Sequence, residues 1–197
     1  MAGRTDTKHE ILNVAEQLWL HKGYNGFSYQ HIAKAIGIKS AAVHYHYPAK
    51  QDLGVALVER MRRRFARWTE RTEALDGFWP KFDAYIAIHQ LYLDDGEGGR
   101  VCPSGILDAE FHTISEDMRH AARELTREMH RWLTDLFRAG RDAGEVSFRG
   151  DPDGIAAVAG ATVQGALQIA RAVGRGSFHL TIDHLKLQLR QRECADA

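Results

Sequence analysis

Cysteine is nearly absent from this chain of 197 residues, as are the features that mark secreted or membrane-spanning proteins. Two cysteines, Cys102 and Cys194, are too few for a disulfide framework and favour a reducing compartment. No apolar run approaches the roughly 18 residues that a membrane-spanning helix needs. Residues 1–8 are polar and lack the apolar core of a secretory signal. These absences predict a cytoplasmic protein without a membrane partner.

Net charge is also absent, since Lys and Arg balance Asp and Glu at 26 each. The distribution is uneven, however. Residues 1–64 carry ten basic and five acidic side chains, whereas residues 65–197 carry sixteen and twenty-one. A basic N-terminal third joined to an acidic body is typical of a DNA-reading head on a regulatory body. Chance asymmetry in a globular protein is the alternative interpretation.

Helical spacing of apolar residues runs through the N-terminal part of the chain. Four helices are predicted there, over residues 7–22, 28–35, 40–46 and 50–72. Gly23 supplies a stop for the first helix, and Gly37 separates the two short ones. Ser28 and Ser40 are the predicted N-caps of these short helices.

Capping residues and prolines mark the helices of the remaining chain. Pro80 suits a first turn, Pro103 opens a helix, and Ser115 and Asp151 are predicted N-caps. The predicted helices cover residues 80–93, a segment from 103, and residues 116–139, 152–173 and 181–192. Residues 94–99 are the most loop-like stretch. No segment alternates with a period of two residues, so the predicted fold class is all-α.

Residues 28–47 have the layout of a helix-turn-helix. Gly37 lies where two steeply crossing helices need a residue that is free to adopt positive φ. Ile32, Ile38 and Val43 are expected to fill the wedge between the helices. The residues expected to point outward are Lys39, Ser40, Ala41, His44 and Tyr45. This small, polar set suits a major groove about 12 Å wide. A purely structural pair of short helices is the alternative.

Residues 8–64 resemble the N-terminal domain of TetR-type repressors. The resemblance is carried by the helix over 11–18, Gly23-Tyr24, Phe27-Ser28, Ile32-Ala33, Gly37-Ile38 and the ordered run Val43-His44-Tyr45-His46-Tyr47-Pro48-Ala49-Lys50-Gln51-Asp52-Leu53. The chain departs from the family at His44, where tyrosine is frequent, and at Ala41, where glycine or threonine is frequent. Both departures concern which DNA sequence is read.

The resemblance implies DNA-binding roles for eight residues. Ser28 and Tyr29 would offer hydroxyl and backbone N–H groups to phosphate. Tyr45 would give its hydroxyl to phosphate, and Lys50 would pair with phosphate as a point charge. The candidates for base edges are Lys39, Ser40, Ala41 and His44. A homodimer would present two such helices about 34 Å apart to a palindromic operator in double-stranded DNA.

The resemblance also implies the organisation of the chain. A three-helix helix-turn-helix domain over residues 1–49 precedes a helical effector-binding and dimerisation domain over residues 50–197. Small residues over 154–172 and an apolar stripe on the last helix suit a dimer interface, although a buried helix within one chain would look similar. The effector-pocket candidates are Trp68, Phe82, Tyr85, His89, Phe111, His112, Trp132 and Gln164. Each could instead belong to the core.

Cys102 is a candidate redox switch. It follows the loop at residues 96–100 and precedes Pro103, so it could occupy a helix N-cap where the dipole and Arg100 favour a thiolate. Loop exposure would then suit a sensor of oxidants or electrophiles. The surrounding residues also resemble NemR-type members of the family, which respond to electrophiles through a cysteine near this place. An inert cysteine is the alternative.

Other function classes lack their motifs in this sequence. There is no phosphate-cradling glycine loop, no nucleophile elbow and no paired metal-ligand spacing. His44 and His46 are two residues apart on a helix and would not face one metal. We therefore predict a repressor, without cofactor or metal, that a small-molecule effector of unknown identity releases from DNA. Switching through Cys102 is one alternative, and a helical enzyme is the alternative from another class.

Overall fold

The computed structural model describes residues 4–93, 100 and 102–190. These residues form nine helices and no strand, which confirms the all-α prediction. The helices are α1 (Arg4–Lys22), α2 (Tyr29–Ile36), α3 (Ser40–His46), α4 (Lys50–Thr72), α5 (Phe78–Gln90), α6 (Pro103–Ala109), α7 (Glu116–Asp142), α8 (Pro152–Val173) and α9 (Gly176–Arg190). The predicted loop at 94–99, the predicted helix end at 191–192 and Cys194 lie outside the described residues.

Local capping chemistry explains several helix ends. Asp151 accepts a hydrogen bond from the Gly154 backbone at 2.7 Å, and Pro152 is the first residue of α8. Ser115 Oγ accepts from the Met118 backbone at 3.4 Å, which confirms it as the cap of α7. Gly37 ends α2 in the left-handed conformation with φ 71°.

Several predicted helix boundaries were wrong. α1 begins three residues before the predicted Thr7, and α7 ends three residues after the predicted Ala139. Ser40 is the first helical residue of α3 rather than its cap, because the extended backbone at Lys39 precedes the helix. α5 begins at Phe78, whose backbone N–H donates to a Glu145 carboxylate oxygen at 2.8 Å, and it ends three residues before Leu93. α9 begins at Gly176, five residues before the predicted start, so that Phe178 is buried on it.

The chain divides into two compact units, and this division differs from the predicted domains. The described part of the first unit comprises residues 4–64 and Pro103–Leu125. It buries apolar residues of α1–α4 together with Ile106, Leu107 and Met118. Arg60 and Arg64 of α4 both bind the buried carboxylate of Glu16 on α1. α1, α2 and α3 pack together as the predicted three-helix head.

The second unit contains the described residues of 65–102 and 126–190. α8 packs against α9 and also against α5. The core joins aromatic residues of α5 and α7 to small and aliphatic residues of α8 and α9. α4 and α7 each contribute residues to both units.

Candidate DNA-binding and effector sites

The helix-turn-helix is built as the sequence pattern indicates. Of the three residues predicted to fill the wedge, Ile32 and Val43 are fully buried, whereas Ile38 is half-buried. Ala33 is also buried. The backbone N–H of Ile38 donates to Ala33 O at 3.0 Å, which closes the turn after Gly37. These contacts fix α3 against α2, so the residues that α3 leaves in solvent share one defined surface.

We call the outward residues of this segment the reading face; they are Lys39, Ser40, Ala41, His44 and Tyr45. All are exposed except Ser40, which is half-buried, and Tyr45 reaches 63% exposure. His44 Nδ1 lies 3.3 Å from Pro48 O, and the carbonyl can only accept, so Nδ1 carries the proton. That bond and an edge-on contact with the Tyr29 ring, 4.6 Å between centroids, orient the imidazole.

Ser28 and Tyr29 take different positions at the start of α2. Ser28 is exposed, and its backbone N–H donates to His31 Nδ1 at 3.0 Å. Tyr29 is buried, and its hydroxyl donates to Tyr47 O at 2.8 Å. The hydroxyl is therefore engaged inside the protein, and burial raises its pKa well above the ordinary value. The predicted phosphate contact of this hydroxyl is corrected to a structural hydrogen bond.

Lys50 also has a role other than the predicted one. Its Nζ donates to Tyr24 O at 2.7 Å and to Phe27 O at 2.5 Å, and it lies 4.6 Å from the centroid of each of these rings. Removal from water lowers the pKa of this ammonium, while Glu110 acts in the opposite direction. An ammonium already bound to two carbonyls and two rings is not a point charge held ready for phosphate. The predicted phosphate contact of Lys50 is therefore corrected to a structural contact with the turn between α1 and α2.

Sequence reasoning missed two carboxylates that organise this head. Asp52 accepts from the backbone N–H of Ala49 at 2.8 Å and so caps the start of α4. Glu110, just after α6, accepts from the backbone N–H groups of Tyr24 at 2.7 Å and Asn25 at 3.1 Å. Asp52 could have been found from its position three residues after Ala49. No local signal connects Glu110 with residues that precede it by 85 and 86 positions.

Six of the eight effector candidates lie in the second unit, and Tyr85 is at their centre. Its ring stacks with Trp132 at 5.8 Å between centroids and contacts Trp68 at 6.4 Å, Phe82 at 6.4 Å and His89 at 4.5 Å. His89 Nδ1 lies 2.8 Å from Tyr85 O. Burial raises the pKa of the Tyr85 phenol, with a further contribution from Cys102.

Cys102 and Gln164 extend this group. Gln164 Nε2 donates to Cys102 Sγ at 3.3 Å. Cys102 is buried, with 6% of its surface exposed, which contradicts the predicted loop exposure. The physical reason is that Cys102 belongs to the aromatic and aliphatic core of the second unit, one residue before α6 begins.

The remaining two effector candidates, Phe111 and His112, lie in the first unit. The Arg123 guanidinium covers the Phe111 ring at 5.0 Å, and His112 is exposed. The structure therefore does not bring them together with the group around Tyr85 within one unit. They were chosen by residue type, and α6 ends at Ala109, before either of them.

α8 and α9 leave an apolar surface in solvent. We call it the α8/α9 face; its large hydrophobic residues, all more than half exposed, are Val158, Ile169, Val173, Leu180 and Leu187. A groove of about 400 Å³ runs along this surface beside Thr162 and His184. Apolar residues clustered in this way mark an interaction surface.

The described residues were also predicted to hold no metal site and no membrane-spanning helix. No group of three or more His, Cys, Asp or Glu side chains there could hold a metal ion. Among the helices of the described ranges, none is long and apolar enough to cross a membrane.

Comparison with known proteins agrees with this geometry. Residues 11–57 match the family model of bacterial regulatory proteins of the tetR family, and residues 79–179 match the tetracyclin repressor-like C-terminal domain. The HTH-type transcriptional repressor NemR of Escherichia coli K12 is 28% identical over 151 residues, which cover 75% of either chain. The transcriptional regulator AcuR of Cereibacter sphaeroides is 30% identical over 142 residues, covering 68% of this chain and 63% of that protein.

A solved structure extends the likeness over nearly the whole chain. The TetR-family regulator from Agrobacterium tumefaciens has a TM-score of 0.89 and 28% identity, and the match covers 96% of this chain and 100% of that one. Both resemblances stated from the sequence, to TetR-type repressors and to NemR, are thereby confirmed. The chain belongs to the TetR family of bacterial transcriptional regulators.

Proposed function

We propose that the protein is a repressor that binds a palindromic operator as a homodimer and leaves it when a small molecule binds the second unit. The observation that carries this proposal is the contrast on α3, where Val43 is fully buried while His44 and Tyr45 are exposed. The proposed function is binding without a catalytic step. It requires access to chromosomal DNA and hence a cytoplasmic location.

The reading face supplies the proposed DNA contacts. Ser40, Ala41 and His44 approach base edges, and Ala41 offers only apolar contact, which suits a thymine methyl. His44 presents Nε2 to the groove, because Nδ1 is bound to Pro48 O. The exposed Lys39 and the Tyr45 hydroxyl bring charge and a hydrogen bond to the DNA. Ser28, at the N-terminus of α2, offers its hydroxyl to phosphate.

The α8/α9 face supports the proposed homodimer. Val173 is 72% exposed and Leu180 is 65% exposed. Contact of this apolar surface with water is unfavourable, and packing against the same surface of a second copy would bury it. A twofold interface uses the same patch on both subunits. Such a dimer would carry two reading faces, as a palindromic operator requires.

The DNA-binding proposal is tested by titrating purified protein with fragmented genomic DNA, followed by sequencing of the bound fragments. We expect a small set of fragments that share a palindrome. Ala41→Asp adds a negative charge to the reading face without touching the buried wedge. It should weaken binding at least about a hundredfold and leave the melting temperature unchanged.

Ala66→Asp is the matched control, because Ala66 is an exposed alanine of α4 in the second unit. It should bind the same fragments with the affinity of the unsubstituted protein. Absence of enriched fragments, or equal weakening by both substitutions, would contradict DNA binding through α3.

The effector is proposed to bind in the neighbourhood of Tyr85. Its aromatic neighbours offer apolar contact, while His89 and Gln164 offer polar groups, a combination typical of small-molecule sites. Trp68 and Trp132 lie 4.8 Å apart between ring centroids, so a ligand inserted there should change tryptophan fluorescence. In a screen of compounds that release DNA, the fluorescence response should disappear in the double variant Trp68→Phe with Trp132→Phe, because both indoles of the pair are then absent. A response that persists in this variant would place the effector elsewhere.

Cys102 supports a second candidate switch. Its Sγ accepts a hydrogen bond from Gln164, so modification of the sulfur by an oxidant or electrophile would break a contact inside the second unit. Cys102→Ser should then abolish release from DNA by such a reagent, whereas Cys194→Ser should not. If the reagent still releases the Cys102→Ser variant fully from DNA, noncovalent effector binding remains as the switch.

A further inference from the structure

The turn between α1 and α2 depends on contacts from distant parts of the first unit. We call residues 23–27 the α1–α2 corner. Gly23 has φ 75°, a left-handed conformation in which any side chain would be strained, and an added Cβ would lie 3.0 Å from Glu110 Oε1. The left-handed turn presents the next two backbone N–H groups on the same side, an arrangement that binds anions. The carboxylate of Glu110 occupies that position.

Glu110 satisfies the donors of the corner. Oε2 accepts from Tyr24 N at 2.7 Å, and Oε1 accepts from Asn25 N and from Asn25 Nδ2, each at 3.1 Å. Asn25 Nδ2 also donates to Thr113 Oγ1 at 2.7 Å. Four hydrogen bonds thus connect two residues of the corner with the segment that follows α6. An anion at the C-terminal end of a helix is ordinarily unfavourable, so these donors offset a local cost.

Lys50 satisfies the acceptors of the same corner. Its ammonium binds the carbonyls of Tyr24 and Phe27, while Glu110 binds the N–H groups. Tyr24 and Phe27 are buried. Without Lys50 and Glu110, their backbone groups would lose hydrogen bonds that water cannot easily replace. The corner is therefore held from two sides by opposite charges.

The corner determines how α2 leaves α1. Ser28 follows the corner directly and is the N-cap of α2. The turn at Gly37, which a backbone hydrogen bond from Ile38 to Ala33 closes, then connects α2 to α3. Glu110 lies at the other end of this connection, immediately after α6. α6 in turn begins one residue after Cys102, which belongs to the core of the second unit.

We propose that Glu110 is a positioning residue for DNA binding. Through its hydrogen bonds to the α1–α2 corner, the orientation of the reading face depends on the position of α6. The inference rests on the proposed function and adds the residue through which the second unit would influence DNA affinity. Glu110 itself touches no DNA in this scheme.

Glu110→Gln is the informative substitution. It keeps the shape of the side chain but replaces one acceptor oxygen with an NH₂ group, which would face a backbone N–H donor. Glu116→Gln is the matched control, because Glu116 is a carboxylate of the same unit whose partners are Arg119 and Arg123. Glu110→Asp keeps both acceptors on a side chain that is one methylene shorter.

The experiment first establishes a duplex that the unsubstituted protein binds. Failure at this step would contradict the proposed function and not the role of Glu110. The affinity of each variant for that duplex is then measured over a salt series, well below its melting temperature. Amide hydrogen exchange is followed at Tyr24 and Asn25 in the same proteins.

We expect Glu110→Gln to bind about tenfold more weakly, with an unchanged salt slope because no phosphate contact is lost. The amides of Tyr24 and Asn25 should exchange about tenfold faster, while those of Ile32 and Val43 keep their protection. Glu110→Asp should be intermediate, and Glu116→Gln should behave like the unsubstituted protein.

Unchanged affinity in Glu110→Gln, or unchanged exchange at Tyr24 and Asn25, would overturn the proposal. Weakened binding with faster exchange at Ile32 and Val43 as well would also overturn it, because the residue would then only stabilise the fold. If Glu110→Gln does not fold, Glu110→Asp decides the question by the same criteria.

Discussion

The two compact units are organised by different kinds of contact. In the first unit, charged side chains bind specific partners: Lys50 holds two carbonyls, Glu110 holds two N–H groups, and Glu16 binds two arginines. In the second unit, aromatic rings pack on one another, as in the stack of Phe78 on Phe82 at 5.3 Å between centroids.

This difference has a functional consequence. Hydrogen-bonded contacts have directions, so the first unit can hold the reading face in one orientation. Burial of apolar surface is non-directional, so the second unit can exchange some of its contacts for those of a bound molecule. A regulator needs both properties, one for reading DNA and one for responding to a ligand.

The largest effect is expected from the core of the second unit. Phe82 is fully buried between Phe78, Phe137 and Tyr85. Phe82→Ala should lower the free energy of unfolding by about 3–5 kcal/mol, measured by chemical denaturation. Phe148→Ala, at a half-buried position of the same core, should cost clearly less. Equal losses would mean that depth of burial does not set stability in this unit.

The next effect distinguishes two lysines of the first unit. Lys50→Met should lower the free energy of unfolding by about 2 kcal/mol, because two carbonyls lose a charged donor, and should leave the salt slope of DNA binding unchanged. Lys39→Met, on the exposed reading face, should leave stability unchanged and reduce the salt slope by about one. The reverse pattern would restore the phosphate role first predicted for Lys50.

Alkaline pH should weaken the first unit through Tyr24. Burial, with the negative charges of Asp52 and Glu110, raises the pKa of this phenol from 10.0 to about 12. The folded state then holds the proton more tightly than the unfolded chain does. The stability that the protonated Tyr24 phenol contributes is therefore complete below pH 10 and is lost as pH rises towards 12. Denaturation across this range should show a smaller fall in stability for Tyr24→Phe, and an equal fall would contradict the assignment.

The smallest effect is expected at Tyr29. Tyr29→Phe removes the hydroxyl that donates to Tyr47 O and should cost about 1 kcal/mol of stability. DNA affinity measured at low and high salt should change little, because the hydroxyl points into the protein. A smaller salt slope in Tyr29→Phe, equivalent to the loss of one phosphate contact, would show that this hydroxyl reaches DNA after all.

Prediction of helix boundaries from the sequence was most accurate where neighbouring residues determine them. α8 begins after the predicted cap Asp151 and ends at the predicted residue 173, and α4 begins and ends at the predicted residues 50 and 72. The start of α9 was missed because no capping side chain precedes Gly176, and the burial of Phe178 extends the helix instead. The all-α class and the helix-turn-helix rest on such local signals.

The candidate sites depend more on distant contacts. The carbonyls that bind Lys50 belong to residues 23 and 26 positions earlier in the chain, so the motif alone suggested a phosphate ligand. Glu110 was missed for the same reason. In the second unit, residue type identified the group around Tyr85 but also selected Phe111 and His112, which belong to the other unit. Cys102 could be noticed in the sequence, but its burial could not.

The central claim is that α3 reads DNA as one of a pair, and His44 offers its most direct test. Duplexes selected from a random pool by the unsubstituted protein and by His44→Tyr are to be sequenced side by side. We expect both to select palindromes whose half-site centres lie about one helical turn, or a multiple of it, apart. The preferred bases should differ only where His44 meets the groove, since its backbone and the turn at Gly37 are unchanged. Identical base preferences, or selected sequences without twofold symmetry, would contradict that claim.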